Sequence, residues 1–115
     1  MLIDFDKIPE VTISSLNGGE DAVSAKMVTD SSYKIMLSRL PAGTTIGMHT
    51  HTTSCETNFV ISGIGQAVCE GAVEDLSAGC CHCCRRGESH NIKNTGKQDL
   101  MLFTVVSEQA AESCK

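Results

Sequence analysis

GTTIGMHTHTTSCETNFVISG, the stretch from Gly43 to Gly63, contains two runs of β-forming residues and three side chains of metal-ligating type. Side chains alternate across a strand, so His49 and His51, which are two residues apart, point to the same face. Glu56 follows after a short loop and is close enough along the chain to fold back toward them. Two imidazoles and a carboxylate suit a first-row divalent metal ion. His90 lies on a later segment and could complete the set.

The remainder of the chain shows short β-like runs separated by turn residues, and helical periodicity is almost absent. Nine or ten such strands indicate an antiparallel sandwich or a closed barrel rather than alternating βαβ units. The predicted strands cover residues 11–16, 22–29, 33–40, 45–51, 56–62, 65–70, 72–76, 81–85, a segment starting near 90, and 100–106. The predicted core includes Phe59, Ile61, Leu100, Leu102 and Phe103.

Length and composition place the chain among globular proteins with one domain. It has 115 residues, of which 41% are hydrophobic and 20% are charged. The net charge of −5 disfavours binding to nucleic acids or to anionic membranes. We find no apolar stretch long enough to span a bilayer, and residues 1–10 do not resemble a signal peptide. We therefore expect a cytoplasmic location.

The spacing of the chemically important residues resembles the first signature of the cupin superfamily. Gly43, His49, His51, Glu56 and Gly63 occur at the positions that this signature requires. The second signature is matched less fully, because Arg85 replaces its proline and Cys80 stands where an aspartate often follows the first glycine. Its other positions are occupied by Gly79, Gly87, His90 and Asn94.

This resemblance implies an all-β, antiparallel double-stranded β-helix, or jelly-roll barrel, of the small conserved-barrel type. Residues 1–115 would form one cupin domain, with N-terminal strands within 1–30, the barrel core at about 33–106, and a short polar tail at 107–115 that forms one helical turn or frays. An edge strand at residues 3–13 could pair across a two-fold axis to give the homodimer that is common in the family.

The resemblance also implies a metal site formed by His49, His51, Glu56 and His90. It would hold one divalent transition metal ion: iron, manganese, zinc, nickel or copper. In an octahedral ion, four ligands leave two open positions for a small polar metabolite. Dioxygenase, isomerase and lyase reactions all occur among cupins, and a non-enzymatic binding or sensing module is the alternative. No catalytic residue outside the ligand set can be named from the sequence.

Seven cysteines are many for this length, and four of them surround His82 in the segment CCHCC at residues 80–84. The odd number and the absence of an export signal favour reduced thiols. The segment contains two CxxC spacings, but residues three apart in a strand point to opposite faces and cannot chelate one ion. We therefore expect these cysteines to act as small buried hydrophobic residues, with thiol redox chemistry as the alternative.

Overall fold

The computed structural model describes residues 1–109 and consists mainly of β-strands. Residues 110–115, which include the end of the predicted polar tail, lie outside the described residues. The strands are β1 (Val11–Ser14), β2 (Ala22–Thr29), β3 (Tyr33–Leu40), β4 (Thr45–Thr50), β5 (Ser54–Ser62), β6 (Ile64–Cys69), β7 (Ala72–Ser77), β8 (Cys81–Cys84), β9 (Ser89–Asn94) and β10 (Leu100–Glu108).

The strands form two antiparallel sheets that together make a cupin-like barrel, as predicted. One sheet has the order β1-β2-β3-β10-β5-β8, and the other has the order β4-β9-β6-β7. Neighbours in each sheet are often distant in sequence, so the two halves of the barrel are built from interleaved parts of the chain. This arrangement brings β4, β5 and β9 to one region of the interior.

Aliphatic side chains from both sheets pack together to form the core. They are Val23, Leu40, Ile46, Val60, Ala67, Leu76, Ile92, Leu100 and Leu102. The prediction that Phe59 and Ile61 belong to this core is wrong, because these side chains are 43% and 44% exposed, and Phe103 is half-buried and outside the core. In β5 the even-numbered positions point inward, so the β-forming run is buried on one face only.

Both ends of the chain differ from the prediction. The strand expected over residues 3–13 begins only at Val11, and Phe5–Lys7 forms a 3-10 helical turn instead. The strand expected to reach residue 16 ends at Ser14, because Ser15 has a positive φ of 51°. The last strand is longer than predicted and extends to Glu108, whose N–H donates to the carbonyl of Ser32.

Close backbone packing at Gly47 helps to place His49 in β4. A Cβ atom at this position would collide with the carbonyl oxygen of Asn17, so only glycine fits without a backbone shift. The pairing of β4 with β9 is irregular between Ile46 and His49, which is next to this contact. No helix among residues 1–109 is long and apolar enough to cross a membrane.

Candidate metal centre

The structure brings together all four residues that the sequence singled out. His49 lies in β4 directly opposite His90 in β9, whereas Glu56 projects inward from β5. His51 follows the end of β4, where its backbone N–H donates to the carbonyl of Glu88. One donor atom from each of the four residues lies within 4.8 Å of the others, so the group could hold a metal ion.

The Nε2 atoms of the three imidazoles and both carboxylate oxygens point at a common centre. His90 Nε2 is 3.0 Å from His49 Nε2 and 3.1 Å from His51 Nε2. The Glu56 oxygens are 3.3 Å from His51 Nε2 and 3.1 Å from His90 Nε2. Lone pairs and a carboxylate that face one point repel one another unless a cation or protons lie between them. The donor set therefore fits a divalent transition metal ion.

Hydrogen bonds at the opposite ring nitrogens orient two of the imidazoles. His49 Nδ1–H donates to the carbonyl oxygen of Gly47 at 2.7 Å, and His51 Nδ1 is hydrogen-bonded to Ser54 Oγ at 3.0 Å. Because Nδ1 of His49 carries a proton, Nε2 of the neutral ring presents its lone pair to the centre. Burial lowers the pKa of His49, which favours the neutral, ligating form.

Glu56 is an almost fully buried carboxylate whose charge is well compensated. Burial alone would raise its pKa, but the adjacent His51 and His90 rings and the Asn58 amide outweigh this effect and hold the pKa well below its usual range. Asn58 Nδ2 donates to Glu56 Oε2 at 2.8 Å, and Thr104 Oγ1 in turn donates to Asn58 Oδ1 at 2.7 Å. The carboxylate is therefore ionised and held in one orientation.

The third imidazole, His90, is oriented by His82, for which the sequence suggested no role. The Glu74 carboxylate accepts a hydrogen bond from His82 Nδ1–H at 2.7 Å, so a neutral His82 ring would carry its lone pair on Nε2. In that form Nε2 accepts a hydrogen bond from His90 Nδ1–H, with the two nitrogens 2.8 Å apart. Both histidines are buried, whereas Glu74 is exposed at the surface. The three residues form a continuous chain from the centre to solvent.

The supporting residues could be found only partly from the sequence. Asn58 lies two positions after Glu56, so strand alternation places both on one face. His82 shares a face with Cys84 in the same way, and both are buried in β8. No sequence pattern links His82 to Glu74 or Asn58 to Thr104, because these pairs meet only through folding.

The cysteines are less buried than predicted. Cys80, Cys81 and Cys83 are exposed, so the interpretation of the segment as mainly small buried hydrophobic residues is wrong for three of its four thiols. Cys81 and Cys83 lie on the outer face of β8, whereas the alternating His82 and Cys84 point inward and are buried. Cys69, Cys80, Cys81, Cys83 and Cys84 form no disulfide bond, and Cys114 lies outside the described residues.

Comparison with known proteins identifies the family. Residues 36–106, more than half of the chain, match the family described as the Cupin domain. The chain belongs to the cupin family. The cupin is 28% identical to an oxalate-binding protein of Thermotoga maritima over 112 residues, which cover 92% of this chain and 93% of the relative.

Solved structures agree with this assignment. The crystal structure of a predicted oxalate decarboxylase from Thermotoga maritima has a TM-score of 0.89 to the cupin at 26% identity, covering 95% of this chain and all of the other. A sugar phosphate isomerase of the cupin superfamily from Silicibacter pomeroyi has a TM-score of 0.77 at 18% identity, with coverages of 95% and 76%. The second likeness shows the fold alone.

The contact between His82 and His90 leads to a prediction about metal affinity. We expect His82→Ala to lower the affinity for Mn²⁺ by roughly 10–100-fold, because His90 loses the acceptor that holds its ring and tautomer. Glu74→Gln, at an exposed position, should cause a smaller loss. Competition with a fluorescent chelator measures the affinity, and thermal unfolding reports whether each variant is folded.

The matched control for Glu74→Gln is Asp75→Asn, which changes the same charge at the neighbouring exposed position. Unchanged affinity in both His82→Ala and Glu74→Gln, with the proteins folded, would contradict the orienting role of His82.

Proposed function

We propose that this cupin binds one divalent transition metal ion through His49, His51, Glu56 and His90, and uses it to bind a small carboxylate-bearing metabolite. The observation that carries the proposal is the convergence of three imidazole Nε2 atoms and an ionised carboxylate on one point. Three neutral imidazoles and one carboxylate give a divalent site a net charge of about +1, which attracts an anion.

Imidazole and carboxylate ligands favour iron, manganese, zinc, nickel or copper over calcium, which prefers a shell made only of oxygen atoms. Four ligands around an octahedral ion leave two positions for a ligand. If these positions are adjacent, a carboxylate or a pair of neighbouring oxygens can occupy both.

A cavity of about 360 Å³ adjoins the centre, and His49, His51 and Glu56 line part of its wall. The remaining wall is largely apolar, with contributions from several aliphatic and methionine side chains: Val23, Met27, Met36, Ile46, Leu102 and Val106. Lys34 is the cation among the residues that line it. These features support a ligand with an oxygen-donor head at the metal and an apolar part against the wall.

An enzymatic role of the dioxygenase, isomerase or lyase type is the first form of this proposal. The similarity to a protein described as a predicted oxalate decarboxylase supports the lyase type. A non-enzymatic binding or sensing module is the second candidate, and the relative named an oxalate-binding protein favours it. His82 also favours it, because this remaining histidine lies behind His90 and not among the residues that line the cavity.

The ligand assignment is tested first by His51→Ala. We expect this variant to lose most of its bound metal, because His51 supplies one of the four proposed ligands, and to stay folded, because His51 is not part of the apolar core. Elemental analysis of protein purified without chelators measures the metal, and Thr53→Ala in the same loop is the control. Full metal content in His51→Ala would contradict the assignment.

The second test concerns the ligand. We expect oxalate to bind to the metal-loaded protein at least tenfold more tightly than to chelator-treated protein, as measured by calorimetric titration. A 2-oxo acid with an apolar tail should bind more tightly than oxalate, because its tail removes apolar surface from water. Equal binding of both compounds with and without metal would contradict metal-mediated recognition.

We extend the proposal to a cytoplasmic homodimer without a nucleic-acid partner. The strand β1 is at the edge of its sheet, and the net charge of −5 disfavours contact with phosphate backbones. Light scattering on the purified protein should give about twice the chain mass of 12.2 kDa. A mass equal to one chain at micromolar concentration would contradict the dimer.

A further inference from the structure

His49, His51, Glu56 and His90 form the histidine centre. A second group of metal-ligating side chains lies next to this centre but shares no residue with it. Cys69 at the end of β6, Cys84 at the end of β8 and Glu88 in the following turn each place one donor atom within 4.8 Å of the other two. The residues Cys69 and Cys84 are only 7% and 0% exposed. The two thiols come from different sheets, so the barrel itself brings them together.

The turn after β8 directs the carboxylate toward the thiols. Arg85 N–H donates to Glu88 Oε1 at 2.8 Å, and Glu88 N–H donates to the Arg85 carbonyl at 2.9 Å. Arg85 replaces the proline of the family signature, and a proline would have no N–H for the first of these bonds. Arg85 therefore supplies a backbone N–H that holds the Glu88 carboxylate in place, and the proline of the signature could not do so.

Each thiol already contacts Glu88. The Cys69 thiol points at Glu88 Oε1 at 4.0 Å, and the Cys84 thiol donates to the Glu88 carbonyl at 3.4 Å. Burial raises the pKa of both thiols, so they are neutral in the absence of a cation. Because a bound cation stabilises the thiolate, its binding would release the two thiol protons to solvent.

We propose that Cys69, Cys84 and Glu88 bind a thiophilic divalent cation of the zinc type at a second site. Two thiolates and one carboxylate are ligands that zinc accepts, and three protein ligands leave the fourth tetrahedral position for water. Sulfur ligands select zinc-type ions, whereas the nitrogen and oxygen ligands of the histidine centre suit a wider range of divalent metal ions. The two sites therefore differ in the ions that they prefer.

The exposed thiols of β8 do not form this site. Cys81 and Cys83 share the outer face of the strand, whereas Cys84 points into the barrel. This difference provides a matched control, because Cys83→Ser removes a thiol next to Cys84 without changing the buried group.

The test uses Cd²⁺ as a probe for zinc-type ions, added to anaerobically purified protein whose thiols are reduced. Cadmium–thiolate bonds produce a charge-transfer absorption in the ultraviolet, and the histidine centre contributes no sulfur ligand to this signal. We expect a tight component in the native protein that is weakened at least tenfold in Cys69→Ser and in Cys84→Ser. Cys83→Ser should retain it.

His51→Ala separates this site from the proposed histidine centre, and it should keep the tight cadmium–thiolate signal. Thermal unfolding shows whether each variant is folded. If Cys84→Ser does not fold, Glu88→Gln replaces it, and this variant should also weaken the tight component. The proposal is overturned if the native protein has no tight signal, or if the signal persists in folded Cys69→Ser and Cys84→Ser. Loss of the signal in Cys83→Ser, or a disulfide between Cys69 and Cys84 in the anaerobic protein, also overturns it.

Discussion

The convergence of three imidazole lone pairs and a carboxylate on one point is the constraint on which the rest of this structure depends. Such an arrangement is repulsive unless a cation or protons lie between the groups, so every ring must be held from behind. The Gly47 carbonyl holds His49, Ser54 holds His51, and His82 holds His90. The barrel provides these supports because it surrounds the centre with strands from both sheets.

Several polar groups inside the barrel form connected networks, which offset the cost of burying them. Thr104 and Asn58 fix Glu56. The signature residue Asn94 has a structural role instead: its side-chain amide donates to the carbonyls of Leu40 and Gln98. Two donor clusters of different chemistry, one of nitrogen and oxygen and one rich in sulfur, thus lie within the same small barrel.

Much of the fold was predictable because its signals are local. Alternating β-forming runs and turn residues located the ten strands to within a few residues. The errors occur where a residue's environment depends on distant parts of the chain. Phe59 and Ile61 belong to a strongly β-forming run, but only the pairing of β5 with β10 and β8 decides that they face outward. The end of β1 depends on the positive φ of Ser15, which sequence does not reveal.

For the candidate site, the sequence by itself determined that His49, His51 and Glu56 lie close together, because their spacing is a local property. The resemblance to the cupin signatures added His90 to this group. The supporting chain through His82 to Glu74 and the grouping of Cys69, Cys84 and Glu88 were decided only by the tertiary structure. The physical reason is that strand alternation shows which side chains share a face. Closure of two sheets into a barrel decides which of those faces meet.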